Sequence, residues 1–117
     1  MDFDEVRRMA LALPGATEGT SYNGSPTFYV RRTLFARLRD DGDTLVLKCN
    51  LFERQYLLDD FPEVFYLLEH YRDYPNVLAR ISVIDPALLR ERLEASWRIA
   101  APRRLVAELD RVRESSA

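Results

Sequence analysis

The chain has 117 residues, 47% hydrophobic and 31% charged, with a formal net charge of -2 at pH 7. That length predicts one domain, residues 1–117, large enough to bury roughly two-thirds of its unfolded surface without staples. The composition excludes a disordered chain, no apolar run reaches the ~20 residues of a membrane span, and the single cysteine excludes an internal disulfide.

The start MDFDEVRR carries acids where a secretory signal has a basic and then an apolar segment, so the cytoplasm is the expected compartment and no membrane partner is expected. Asp2 and Glu5 form a capping-box pattern, and Phe3, Val6, Ala10 and Leu13 repeat at helical spacing until Pro14-Gly15. Residues 16–25 show weak periodicity and predict at most a short extended piece at residues 20–22. Asn23-Gly24-Ser25 fits the glycosylation sequon, but without an export signal it reads as coincidence.

Residues 26–49 organise the chain. Phe28 and Val30, then Leu34, Ala36 and Leu38, then Leu45, Leu47 and Cys49 alternate with the residues between them, the pattern of three half-buried strands. Arg31-Arg32 makes a tight first connection and Asp40-Asp41-Gly42-Asp43 a second, with the Asp-Gly hairpin signal. Asn50 and Glu53 then open a helix with Leu51, Tyr56, Leu57 and Leu58 on its buried side, ending before Pro62.

A fourth strand is expected at residues 64–68 and a loop at 69–75. Val77, Ala79, Ile81 and Val83 alternate with Leu78, Arg80 and Ser82 as a fifth strand. Asp85-Pro86 caps a long helix with the stripe Leu89, Leu93, Trp97 and Ala100. Pro102 interrupts it, and Leu105, Leu109 and Val112 mark a terminal helix that frays over residues 111–117. The order is α-β3-α-β2-α plus a C-terminal helix. It predicts a two-layer α+β fold, an antiparallel sheet of about five strands with helices on one face and the other face left exposed or used.

Strand parity gathers Tyr29, Arg31, Phe35, Arg37, Arg39, Val46 and Lys48 on that second face, and Arg80 joins them from the fifth strand. The candidate nucleic-acid-binding residues are therefore Tyr29, Arg31, Phe35, Arg37, Arg39, Lys48 and Arg80, a mixture of phosphate-pairing and stacking groups. The same cations also serve solubility and guard exposed strands against pairing with another chain.

Catalytic signatures are missing. Gly19-Thr20-Ser21-Tyr22-Asn23 fails the nucleophile elbow, no phosphate-binding loop or dinucleotide fingerprint occurs, and one histidine with one cysteine cannot build the usual zinc site. No catalytic residue, metal or cofactor is expected. His70 is the one side chain that titrates near neutrality, and His70, Tyr71 and Tyr74, with Lys48, are the candidates for a pocket. Cys49, alternating with Leu45 and Leu47, reads as a small core hydrophobe.

The stretches LPG-x-x-EGTSY, GSPTF-x-V-x-x-x-LFARLR-x-DGDTLVLKC, HY-x-x-YP-x-VL-x-RI and DP-x-x-L, with W-R-x-x-x-P-x-RL, are similar to the MmcQ/YjbR family over nearly the whole chain. The resemblance implies the α-β3-α-β2-α arrangement, close in outline to secretion chaperones, and carries the description DNA-binding by fold-level analogy. Phe28, Phe35, Lys48, Tyr71 and Arg80 match the family's commoner pattern and are expected to line any shared surface. Arg32 departs from it, where a small turn residue is more usual. The resulting reading is a non-enzymatic module that binds nucleic acid. The alternatives are a small-molecule or enzymatic pocket near His70, Tyr71 and Lys48, and a chaperone-like module forming a homodimer through its sheet.

Overall fold

The computed structural model describes residues 1–21 and 23–116. In chain order the elements are α1 (Phe3–Leu11), β1 (Ala16–Thr20), β2 (Pro26–Val30), β3 (Thr33–Leu38), β4 (Thr44–Lys48), α2 (Leu51–Asp60), β5 (Phe65–Tyr66), a 3-10 turn (Glu69–Tyr71), β6 (Asn76–Arg80), α3 (Pro86–Ala100) and α4 (Arg103–Ser116). The strands form one antiparallel sheet in the order β1-β2-β3-β4-β6-β5. The three helix starts with a capping residue in the sequence are capped as it dictates. Asp2 accepts the Glu5 amide, Asn50 that of Glu53, and Asp85 those of Ala87 and Leu88.

The helices share the inner face. Val6 and Ala10 of α1, Leu57 of α2, Leu89, Leu93 and Trp97 of α3 and Leu105 of α4 pack with Phe28, Val30, Leu45, Leu47, Val77 and Ala79 of the sheet. The buried Trp97 indole donates to the Pro14 carbonyl at 2.9 Å, which fixes the end of α1 against α3.

Six strands form rather than five. The addition, β1, has no apolar alternation because it is an edge strand with little to bury, and its ladder to β2 runs from Ala16 opposite Val30 to Thr20 opposite Pro26. Gly19 fits there under the ring of Tyr29, where an added Cβ would stand 3.2 Å from Tyr29 Cε2. The extended piece expected at residues 20–22 therefore lies earlier, and Tyr22 falls outside the described residues.

Other boundaries shift too. β5 has two residues instead of five, a 3-10 turn replaces part of the expected loop, and β6 ends at Arg80 because residues 81–84 turn away, leaving Val83 exposed. On α2 only Leu57 is fully buried, with Leu51 and Tyr56 more than half exposed. α4 continues to Ser116 rather than fraying from residue 111, since Arg113 holds it to Glu94 of α3. Ala117 lies outside the described residues.

One irregularity overturns the simple parity. Phe28 pairs with Ala36 and Tyr29 with Leu34, so Phe35 is an extra residue and β3 is bulged. A one-residue insertion inverts facing on one side of itself. Leu34 consequently shares the outer face with Tyr29, while Phe35 joins Ala36 in the core at 0% exposure. The rung that would join Phe35 to Lys48 is filled by Ser96, whose hydroxyl donates to the Phe35 carbonyl at 2.5 Å and accepts the Lys48 amide at 2.8 Å.

Candidate functional site on the outer sheet face

The outer face, expected to be exposed or used, is partly covered by the chain itself. Val46 and Leu78, both assigned to it, are 4% and 0% exposed. Tyr66 of β5 packs beside them, and the segment after β5 folds back over the sheet, bringing Leu67 and Tyr71 onto them. Arg54 of α2 holds this segment in place. Its guanidinium donates to the carbonyls of Tyr74 at 2.7 Å, Arg72 at 2.8 Å and Asn76 at 3.1 Å, and more distantly to that of Tyr71. The carbonyls of a covering loop need donors. That need was the available signal in the sequence, but nothing in it pointed to Arg54.

The predicted basic residues separate into groups. Phe35 leaves the face altogether for the core, as above. Tyr29 lies at the β1 edge across Gly19. Arg31 occupies the β2–β3 hairpin tip at φ 58, with its side chain in solvent, so it belongs to a turn rather than to the strand surface. Lys48 sits opposite Asn76 at one end of the β4–β6 ladder and Arg80 opposite Thr44 at the other. The Arg80 guanidinium stacks 4.1 Å above the Tyr66 ring and donates to the Glu63 carbonyl.

Arg37 and Arg39 come together with the predicted pocket residues. Both are half-buried, and both aim at the hydroxyl of the buried Tyr71, Arg37 at 2.8 Å and Arg39 at 3.4 Å. Arg39 also lies over the Tyr71 ring, 5.9 Å from its centroid. His70 meets that ring edge-on at 4.9 Å, and Tyr74 is 6.3 Å from His70. Together with Asn23 and Asp40, Arg37, Arg39, His70 and Tyr71 line a cleft of about 220 Å³. Lys48 is not among its walls.

The electrostatics are specific. Among the described residues, ion pairs engage Arg7, Arg92, Arg98 and Arg113, but no carboxylate oxygen lies within 4.0 Å of the Arg37 or Arg39 guanidinium. Asp40 is occupied instead by Asn23 Nδ2 at 2.9 Å and Ser25 Oγ at 3.3 Å. The neighbouring acids are also committed. Asp41 accepts the Asp43 and Thr44 amides and the Thr44 hydroxyl, and Asp43 accepts from Ser82. The amide of Asp43, with smaller help from Thr44 and Arg39, holds the Asp41 carboxyl below its usual range.

Two arginines against one aspartate leave the cleft with one net positive charge. Guanidinium forks match the oxygens of phosphate or carboxylate. Asn23 and Asp40, read in the sequence only as part of a sequon and of a turn, were not among the site candidates, because they meet only when the β1–β2 and β3–β4 connections converge.

No curated protein matches the chain. The crystal structure of Deinococcus radiodurans protein DR2400, which has a DUF419 domain, shares its fold at a TM-score of 0.71, with 20% identity over 82% of this chain and 75% of that one. Among the described residues, no helix is long and apolar enough to cross a membrane. The YjbR family model matches residues 11–99, from the last residue of α1 almost to the end of α3 and so across the whole sheet and its cleft, and the chain is therefore a member of the YjbR family.

Proposed function

We propose that this protein is a non-enzymatic binding module that takes nucleic acid by its phosphate backbone at the Arg37–Arg39 cleft. The observation that carries the reading is the convergence of two half-buried guanidiniums on a single phenol oxygen, with no acid paired to either among the described residues. Partly desolvated cations are stabilised by an anion that can take their remaining donors. A phosphodiester supplies one negative charge and two free oxygens, which suits a cleft of one net positive charge better than a polyphosphate does.

The small-molecule alternative has less support. About 220 Å³ is below the usual range of pockets that enclose a metabolite, and Lys48 stands apart from His70 and Tyr71. The test is fluorescence anisotropy of labelled oligonucleotides at about 50 mM salt, where electrostatic association is strong. Binding is expected, and Arg37→Gln with Arg39→Gln should abolish it while leaving circular dichroism unchanged. No binding by the wild-type protein, or equal binding by the double variant, overturns the reading.

A further inference from the structure

We infer that the nucleic acid held at this cleft is single-stranded, with one phosphate between Arg37 and Arg39 and an adjacent base lying on the exposed rings of His70 and Tyr74. This rests on the reading above and goes beyond it by naming the strand state and the base-contacting residues.

The first argument is the rim. Tyr74 is 57% exposed, His70 is exposed, and their rings stand 6.3 Å apart on the segment that closes the cleft. Bases of a duplex are already stacked on one another, whereas an unpaired base has a free face for an aromatic side chain. The segment is also fixed for the purpose, because the Arg54 guanidinium holds the carbonyls on either side of Tyr74.

The second argument is the placing of charge. A duplex offers phosphates along two strands and is gripped by cations in a track. Here Arg31 is at a hairpin tip, Lys48 lies two residues along β4 from Val46, the partner of Arg37, or about 7 Å at strand spacing, and is not a wall of the cleft, and Arg80 is engaged with Tyr66 and the Glu63 carbonyl. Only Arg37 and Arg39 converge. Immediately beyond Arg39 the chain presents Asp40, Asp41 and Asp43, and the low-lying Asp41 carboxyl stays ionised. A second strand reaching past the cleft would meet these acids, while one strand can pass by way of the aromatic rim.

The experiment measures anisotropy for a mixed-sequence 12-nucleotide DNA, the same strand as RNA, its DNA duplex, and a 12-unit abasic strand that keeps the phosphates and removes the bases. The single strands should bind at least ten-fold more tightly than the duplex. Tyr74→Ala should weaken single-strand binding about ten-fold, as loss of one stacked base does, and the abasic strand should bind the wild-type protein as weakly. With one phosphate neutralised by the arginine pair the log-log salt slope should be about -0.7. Equal or tighter binding of the duplex, or Tyr74→Ala without effect, overturns the inference and leaves the nucleic-acid reading standing. No binding to any of the four overturns both.

Discussion

Arg31 is the only non-glycine residue with positive φ among the described residues, and it is the first of the two residues joining β2 to β3. That position takes positive φ in a type II′ hairpin, which glycine fills without steric cost. Arg32, the second residue of the connection, is not the strained one. A non-glycine residue in the left-handed region costs about 1–2 kcal/mol, part of which glycine returns as extra unfolded-state entropy. Arg31→Gly is therefore expected to stabilise the protein by about 0.5–1 kcal/mol in urea denaturation, and Arg32→Gly to give no gain. A loss of stability in Arg31→Gly would show that the arginine side chain contributes more than its backbone costs. At Cys49, burial pushes the thiol up and leaves it a core hydrophobe, as its alternation with Leu45 and Leu47 implies.

Between elements, the β3 bulge and α3 depend on one another. Phe35 turns inward only because the bulge shifts its facing, and the backbone groups freed there are taken by Ser96 from the helix above. Ser96→Ala removes the hydroxyl and leaves a carbonyl and an amide without that partner. An unsatisfied buried polar group costs about 1–3 kcal/mol, so the variant should lose about 2–4 kcal/mol, less if water enters. Amide exchange at Lys48 should accelerate more than exchange along the rest of β4. Uniform acceleration would mean that the hydroxyl supports the fold globally rather than this one rung. Arg54 plays the corresponding part for the covering segment, and through it α2 sets the position of Tyr71 and the cleft.

At the scale of the whole molecule, α4 is fastened to α3 by charge. Glu94 accepts from Arg113 and Arg98, and Arg98 reaches Asp110 at 2.7 Å. The Arg113 hydrogen bond, then that of Arg98, holds the Glu94 carboxyl below its ordinary 4.5. Arg98 likewise holds Asp110 below 3.8. A carboxyl lowered on folding stabilises the native state fully above its unfolded value and loses that contribution as pH falls through the folded one. Stability from this source should thus be constant above about pH 5 and decline below it. Tm should fall between pH 6 and pH 3 by about 5 °C for each kcal/mol lost. Glu94→Gln should lower Tm at pH 6 and flatten that decline, and an unchanged pH profile would refute the role given to this cluster.

The α+β class, the helix caps, the β2–β3–β4 meander and the two proline boundaries of the last helices are legible in the residues alone, because capping and period-two burial are local rules that act within a few residues. Alternation also places Arg37, Arg39 and Lys48 outward, and Leu45 and Leu47 inward. Tertiary structure decided β1, whose residues carry no pattern and are held by the ladder to β2, and it decided the facing of Phe35, since a bulge is set by register across two strands. It decided the cleft as well. His70 and Tyr71 stand more than thirty residues from Arg37 in the chain and meet it only because α2, through Arg54, lays their segment across a sheet face whose covering alternation alone does not specify.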